Sequence, residues 1–209
     1  MPVLQRWIDR GYQVAVQRDP GAADLPVDLS LTRPYKGYAD AVNFLADTVL
    51  GIDPDCDFVV TGGDDVLPDP THNPQQIAAE CTLHFKGTLG VMQPCGDRHM
   101  VDREGKCAAE RVCVSPWMGR EWCERAYDGT GPMCSLYFHE FVDADLHCVA
   151  LKHRCLWHRR DITQMHQWWG RTDKKEKPEH LVELEAKWDE VKAFFEARKA
   201  AGFPDSDLK

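Results

Sequence analysis

Two adjacent carboxylates, Asp64 and Asp65, follow an apolar run, Asp57-Phe58-Val59-Val60-Thr61, across two glycines, Gly62 and Gly63. The chain then turns at Val66-Leu67-Pro68-Asp69-Pro70. The apolar run predicts a strand, and open α/β sheets gather their ligands at the carboxyl ends of strands. Paired carboxylates at such a point form a hard-oxygen site suited to Mg²⁺ or Mn²⁺, the ions that accompany diphosphates. The glycines let backbone approach a ligand closely. A solvated Asp-rich turn is the plain alternative.

Three clusters lie downstream: Ser115-Pro116-Trp117-Met118-Gly119-Arg120-Glu121-Trp122, Tyr137 to Leu146 with Asp143 and Asp145, and Trp157 to Trp169 with His166. Asp143 suits a general base, with Asp145 as the alternative; a first-turn acid also favours the helix dipole without catalysis. His166 suits a metal ligand, or a packed histidine between aromatic neighbours. Arg98 and Arg120 can grip a diphosphate bidentately or serve in salt bridges. Trp117, Trp122, Trp168 and Trp169 can stack on a sugar or base, or fill the core.

The elements that must position these residues read as alternating strand and helix. Pro2 to Asp9 predicts a helix ended by Gly11, and Tyr12 to Val16 a strand stopped at Arg18-Asp19-Pro20-Gly21. A polar loop to Tyr35 precedes a helix over Gly37 to Leu50, with Tyr38, Ala41, Val42, Leu45 and Val49 on one face. Asn73-Pro74 opens a helix carrying Ile77, Cys81 and Phe85, and Thr88 to Gln93 predicts a strand. Trp117 to Arg125 and Asp143 to Lys152 read as helices. Arg171 to Pro178 reads as a charged linker, with Lys174, Lys175 and Lys177 as its basic cluster. From Glu179 to Ala201 a helix carries Leu181, Leu184, Trp188, Val191 and Phe195 as one apolar stripe. The expected organisation is a body over 1–170 and a linker plus amphipathic helix over 171–209 that packs on it.

The 209 residues suffice for one core, and 43% hydrophobic and 28% charged residues are ordinary for a globular chain. No apolar run approaches the ~20 residues of a membrane span. Nine cysteines without C-x-x-C spacing, and no signal-peptide core, fit reduced thiols and a cytoplasmic location. The local set His153, Cys155 and His158 matches no standard zinc spacing. A net charge of −9 disfavours a broad grip on nucleic acid.

In the order of its features from Tyr12 to Arg171, the chain resembles nucleotide-sugar glycosyltransferases of the GT-A fold, closest to the inverting family-2-like enzymes. Val60 to Pro68 resembles the metal-binding aspartate motif, and Val142 to Leu146 the acidic motif that supplies the base. His166 resembles the histidine some members use as a further metal ligand, and Asp19 stands where the family often contacts the nucleotide base. The resemblance implies a Rossmann-like mixed sheet flanked by helices. It implies sugar transfer from a nucleotide-diphosphate donor to a hydroxyl acceptor: a glycan, a small molecule, a protein side chain or a modified nucleobase. The implied site holds Mn²⁺ or Mg²⁺ on Asp64, Asp65 and His166, donor contacts from Asp19, Gly63, Asp64 and Arg120, and Asp143 or Asp145 as base. Two departures stand out: Gly62 stands where the family has an acidic residue two positions before the metal-binding one, and the chain opens on what reads as the helix after the family's first strand, so that strand is missing or the pocket is completed differently. A metal-dependent nucleotidyltransferase and a catalytically degenerate scaffold are the competing readings; no G-x-x-x-x-G-K-[ST] loop supports phosphoryl transfer.

Overall fold

The computed structural model describes residues 2–63, 65–98, 101–167 and 179–209. It is a mixed α/β protein, with helices α1 (Pro2–Asp9), α2 (Tyr38–Ile52), α3 (Pro74–Phe85), α4 (Arg120–Gly129), α5 (Val142–Lys152), α6 (Glu179–Glu185) and α7 (Trp188–Ala200). The strands are β1 (Ala15–Arg18), β2 (Leu29–Thr32), β3 (Phe58–Val60), β4 (Val66–Leu67), β5 (Val91–Pro94), β6 (Trp117–Gly119), β7 (Leu156–Arg159) and β8 (Met165–His166). A 3₁₀ turn spans Ala108–Glu110. No helix of the described residues is long and apolar enough to cross a membrane.

The central sheet runs β3-β6-β5-β7. β6 is antiparallel to both its neighbours, and β5 is parallel to β7, so β3, β5 and β7 share one direction. Their carboxyl ends therefore open on the same side of the molecule. Side-chain alternation along each strand feeds two cores. Val59, Val91, Met118 and Leu156 join α2, α4, α5 and Phe195 of α7 on one face. Phe58, Val60, Met92, Trp117 and Trp157 join Trp7 of α1 and Ile77 and Cys81 of α3 on the other. Helices thus cover both faces of the sheet, the layering expected when β and α segments alternate.

The predicted helix opening at Asn73-Pro74 forms as the residues dictate. The Asn73 carboxamide accepts the Gln76 N–H at 2.7 Å, and Pro74 occupies the first turn, where no N–H is needed. The predicted helix over Trp117 to Arg125 is corrected at its start. Trp117-Met118-Gly119 is the antiparallel strand β6, and Gly119 is pressed so close to Thr88 that a Cβ would lie 1.9 Å from its carbonyl oxygen. On α2 the buried line is Ala39, Ala46 and Leu50, rotated from the predicted face. The expected loop to Tyr35 contains β2, which pairs in parallel with β1 as a separate two-stranded sheet. Among the described residues, β3 has no partner on its other edge.

The predicted C-terminal helix is two helices, α6 and α7. α7 packs on the body through Phe195, which stacks on Phe141 at 5.3 Å, and through the buried Arg198. The 171–178 linker and its lysines lie outside the described residues. All nine cysteines are described, and none is in a disulfide.

Candidate functional site

β3 delivers the chain to Gly62 and Gly63, where the backbone runs close to its neighbours. A Cβ on Gly62 would lie 3.0 Å from the Trp7 ring, and one on Gly63 would lie 2.7 Å from Asp65 Oδ1. Asp64 lies outside the described residues. Asp65 enters β4, which pairs antiparallel with β8 so that Val66 faces His166. This ladder closes a gap of 101 residues and sets His166 Nε2 3.0 Å from Asp65 Oδ2. The Asp65 carbonyl accepts the Gln167 N–H at 2.6 Å, and Asp97, just past β5, accepts the His166 N–H at 3.3 Å.

Three buried contacts hold this short ladder in register. The Trp7 indole donates to the Val66 carbonyl at 2.8 Å, and the Trp117 indole donates to Gln164 Oε1 at 2.7 Å. Asp69, 1% exposed, accepts the Thr163 N–H at 2.6 Å together with the N–H groups of Thr71 and His72 and the Thr71 hydroxyl. Burial alone would raise the Asp69 carboxyl. The N–H groups of His72, Thr163 and Thr71, with the Thr71 hydroxyl, together outweigh it and bring the pKa down to about 2.

Asp143 sits half-buried in the first turn of α5, its Oδ1 accepting the Ala144 N–H at 2.8 Å. Burial lifts its pKa above the ordinary carboxylate value against the pull of that N–H, and Glu140 adds to the rise. The phenol of Tyr38, at the start of α2, is pushed up to about 12 by burial, with Asp143, Tyr35 and Asp65 adding and the Thr61 hydroxyl opposing. One phenol thus feels both carboxylates, although 78 residues separate them in sequence. Asp19, at the end of β1, accepts the Tyr35 N–H at 2.9 Å. The exposed rings of Tyr35 and Phe138 meet edge to face at 5.6 Å. They flank Gly37, whose φ of 113° carries the chain against the Phe138 carbonyl.

Two predicted residues are placed elsewhere. Arg120 stands at the opposite end of β3, beside Asp57, and its guanidinium donates to the carbonyls of Leu50 and Asp53 at 3.0 and 2.6 Å. It fastens the end of α2 and cannot reach a diphosphate at Asp65. Asp145 is fully buried on the other side of α5, bonded to Tyr127, Tyr137 and Arg198, which removes it as a base for an incoming hydroxyl. Arg98 is likewise engaged, with Gly105 and Glu110. Trp117 and Trp122 are core residues, and Trp168 and Trp169 lie outside the described residues.

Among the described residues no three His, Cys, Asp or Glu side chains converge as a metal site. Asp65 and His166 nevertheless fit a shared divalent ion as a pair. Their donor atoms are 3.0 Å apart, and two ligands each about 2.1 Å from one ion can stand at such a separation. A carboxylate with an imidazole favours Mn²⁺ over Mg²⁺, which prefers all-oxygen shells. A groove of 610 Å³ opens between α2 and the turn after α4, lined by Arg33, Asp40, Asn43, Glu124 and Thr130, and includes none of Asp65, Asp143 and His166.

Sequence reasoning missed Asp97, Asp69, Trp7 and Tyr38 as parts of this site. Asp97 follows a strand end, as Asp65 does, and the same rule of strand carboxyl ends finds it. Asp69-Pro70-Thr71 carries the signature of an aspartate that bonds its own backbone two residues on. Comparison of the chain with protein-family models, with curated proteins and with solved structures gives no match in any of the three.

Proposed function

We propose that the chain is a metal-dependent, inverting glycosyltransferase of GT-A type, moving a sugar from a nucleotide-diphosphate donor to a hydroxyl acceptor. The observation that carries this reading is the closure of Asp65 on His166 at the end of β3, with Asp143 sensed by the same Tyr38 phenol. A Mn²⁺ or Mg²⁺ ion on Asp65 and His166 would supply Lewis-acid stabilisation to a departing diphosphate. With Arg98 and Arg120 engaged elsewhere, that charge has no arginine from the predicted set to meet it.

The remaining chemistry belongs to the side chains. Asp143 accepts the proton of the acceptor hydroxyl as it attacks the anomeric carbon, and the raised pKa makes it a stronger base than an exposed aspartate. Attack opposite the departing diphosphate inverts the anomeric centre. Asp19 and Tyr35 stand at the β1 end of the site, where the nucleotide base would lie. The free thiols suit a reducing, cytoplasmic setting.

One observation favours a second reading, a binding or scaffold protein. Among the described residues β1–β2 is separate from the central sheet and no strand pairs with the outer edge of β3, on the nucleotide side of the pocket. Calorimetric titration of UDP and GDP with and without Mn²⁺ separates the two. Mn²⁺-dependent binding that disappears in Asp65→Asn and His166→Ala supports the transferase. Asp143→Asn should then keep donor binding while turnover falls about 10²–10⁴-fold. Wild-type protein that binds no nucleotide at any metal concentration refutes the transferase and leaves the scaffold.

A further inference from the structure

On the α5 side of the central sheet three buried polar atoms, Gln93 Oε1, His147 Nε2 and His158 Nε2, have no hydrogen-bond partner among the described residues. Gln93 and His158 are register partners on the adjacent parallel strands β5 and β7, so their side chains leave the same face of the sheet. His147, one turn after Asp143 on α5, stacks on His158 with ring centres 5.3 Å apart and planes 19° from parallel. Gln93 is 1% exposed and His147 8%. The Gln93 amide nitrogen already donates to the Pro94 carbonyl at 2.8 Å, which leaves its oxygen as the open acceptor.

The histidines are in the form that binds metals. Burial lowers the His147 pKa to about 4, with His158 adding and a bond to the Glu110 backbone opposing. Burial lowers His158 as well. Burial thus favours the neutral form of both rings. The Glu110 backbone takes the proton of the ring nitrogen opposite Nε2, which leaves Nε2 with its lone pair, as backbone partners do for metal-bound histidines.

We propose that Gln93, His147 and His158 form a site for one divalent transition ion of the imidazole-preferring class, Zn²⁺ foremost, with water completing the shell. Two imidazole nitrogens about 2.0–2.1 Å from a tetrahedral ion place their ring centres about 5 Å apart, close to the observed 5.3 Å, and binding would turn the rings out of their near-parallel stack until both lone pairs meet at the ion. The donors are two nitrogens and a neutral amide oxygen, which suits zinc better than the hard ions matched to Asp65. This set joins α5 to β5 and β7 on one face of the sheet and differs from the local His153, Cys155 and His158 set. His153 instead meets the Ser206 carbonyl at 2.8 Å, and the Cys155 thiol turns to the His153 carbonyl. The site stands independently of the transferase reading.

The test uses chelator-stripped full chain carrying Asp65→Asn, which removes the other metal candidate, with Co²⁺ as a spectroscopic stand-in for zinc. One equivalent should give the visible bands of four-coordinate Co²⁺, displaced by Zn²⁺ and lost in His147→Asn and His158→Asn. Zn²⁺ should also shift the ring ¹⁵N resonances of His147 and His158 in the chain without those two substitutions, a readout independent of whether the variants fold. Absence of the bands, their survival in His158→Asn, or unmoved ring resonances would overturn the proposal and leave a bridging water in that space.

Discussion

Replacing Arg198 by methionine tests the reading of Asp145 as a buried structural charge. Arg198 Nε donates to Asp145 Oδ2 at 3.0 Å, with the two side chains 5% and 0% exposed. Among the described residues, the phenols of Tyr127 and Tyr137, at 2.9 and 3.1 Å, would remain to satisfy the carboxylate. Removing one partner of a buried pair costs about 3–5 kcal/mol, because the other charge stays desolvated. The two remaining donors place Arg198→Met near the lower end, about 3 kcal/mol, since methionine keeps much of the aliphatic packing. Urea unfolding followed by tryptophan fluorescence and far-ultraviolet dichroism should show the midpoint falling by about 1–1.5 M at a slope of about 2–3 kcal/mol/M. Adding Asp145→Asn to Arg198→Met should restore at least about half of the loss, because no uncompensated charge then remains. A loss below about 1 kcal/mol, or a double variant no better than the single one, would refute the reasoning by showing that water reaches the carboxylate.

Two further predictions concern the Asp65 ladder. The Asp69 carboxyl has a folded pKa of about 2 against an ordinary 3.8, so its contribution is complete above about pH 4 and disappears as pH falls toward 2. Acid titration of stability should show that slope in the wild type and a flatter one in Asp69→Asn, which is less stable at pH 7; identical slopes would contradict it. Gly63→Ala places a methyl 2.7 Å from Asp65 Oδ1, the movable end of a side chain. Its melting temperature should therefore change little while Mn²⁺ affinity falls, and unchanged Mn²⁺ binding would remove Asp65 from the ligand set.

How much the sequence disclosed depended on the range of the interaction. The run Phe58 to Val60 and the helix behind Asn73-Pro74 were legible because local pattern and capping chemistry decide them. Trp117-Met118-Gly119 was not, since three residues are too few for periodicity and its strand character comes from pairing on both sides. Asp143 and Asp145 stand two apart in one helical turn, so they must face different directions. Which of them faces inward depends on Arg198, 53 residues away. The same limit applies to Arg120, whose true partners are carbonyls some 70 positions earlier. The pairing of His166 with the strand-end aspartate was legible by type, as two metal-binding residues. The indoles and the Asp69 bonds that hold them in register are long-range contacts with no local signature.

The Asp145–Arg198 pair also sets a clock on biosynthesis. At about 5–20 residues per second, the 53 residues between the two partners take about 3–10 s to be made. For the last 32 of those residues, from 166 to 198, the nascent chain has every strand named above but carries an aspartate whose counter-charge has not yet been translated. The C-terminal segment extends the delay: Asp128 N–H bonds to the Asp207 carbonyl, and Lys209 N–H to the Arg125 carbonyl. The residues that close the core are therefore translated after the strands, and a chain arrested before residue 198 would reach the cell's proteases with that core unsealed.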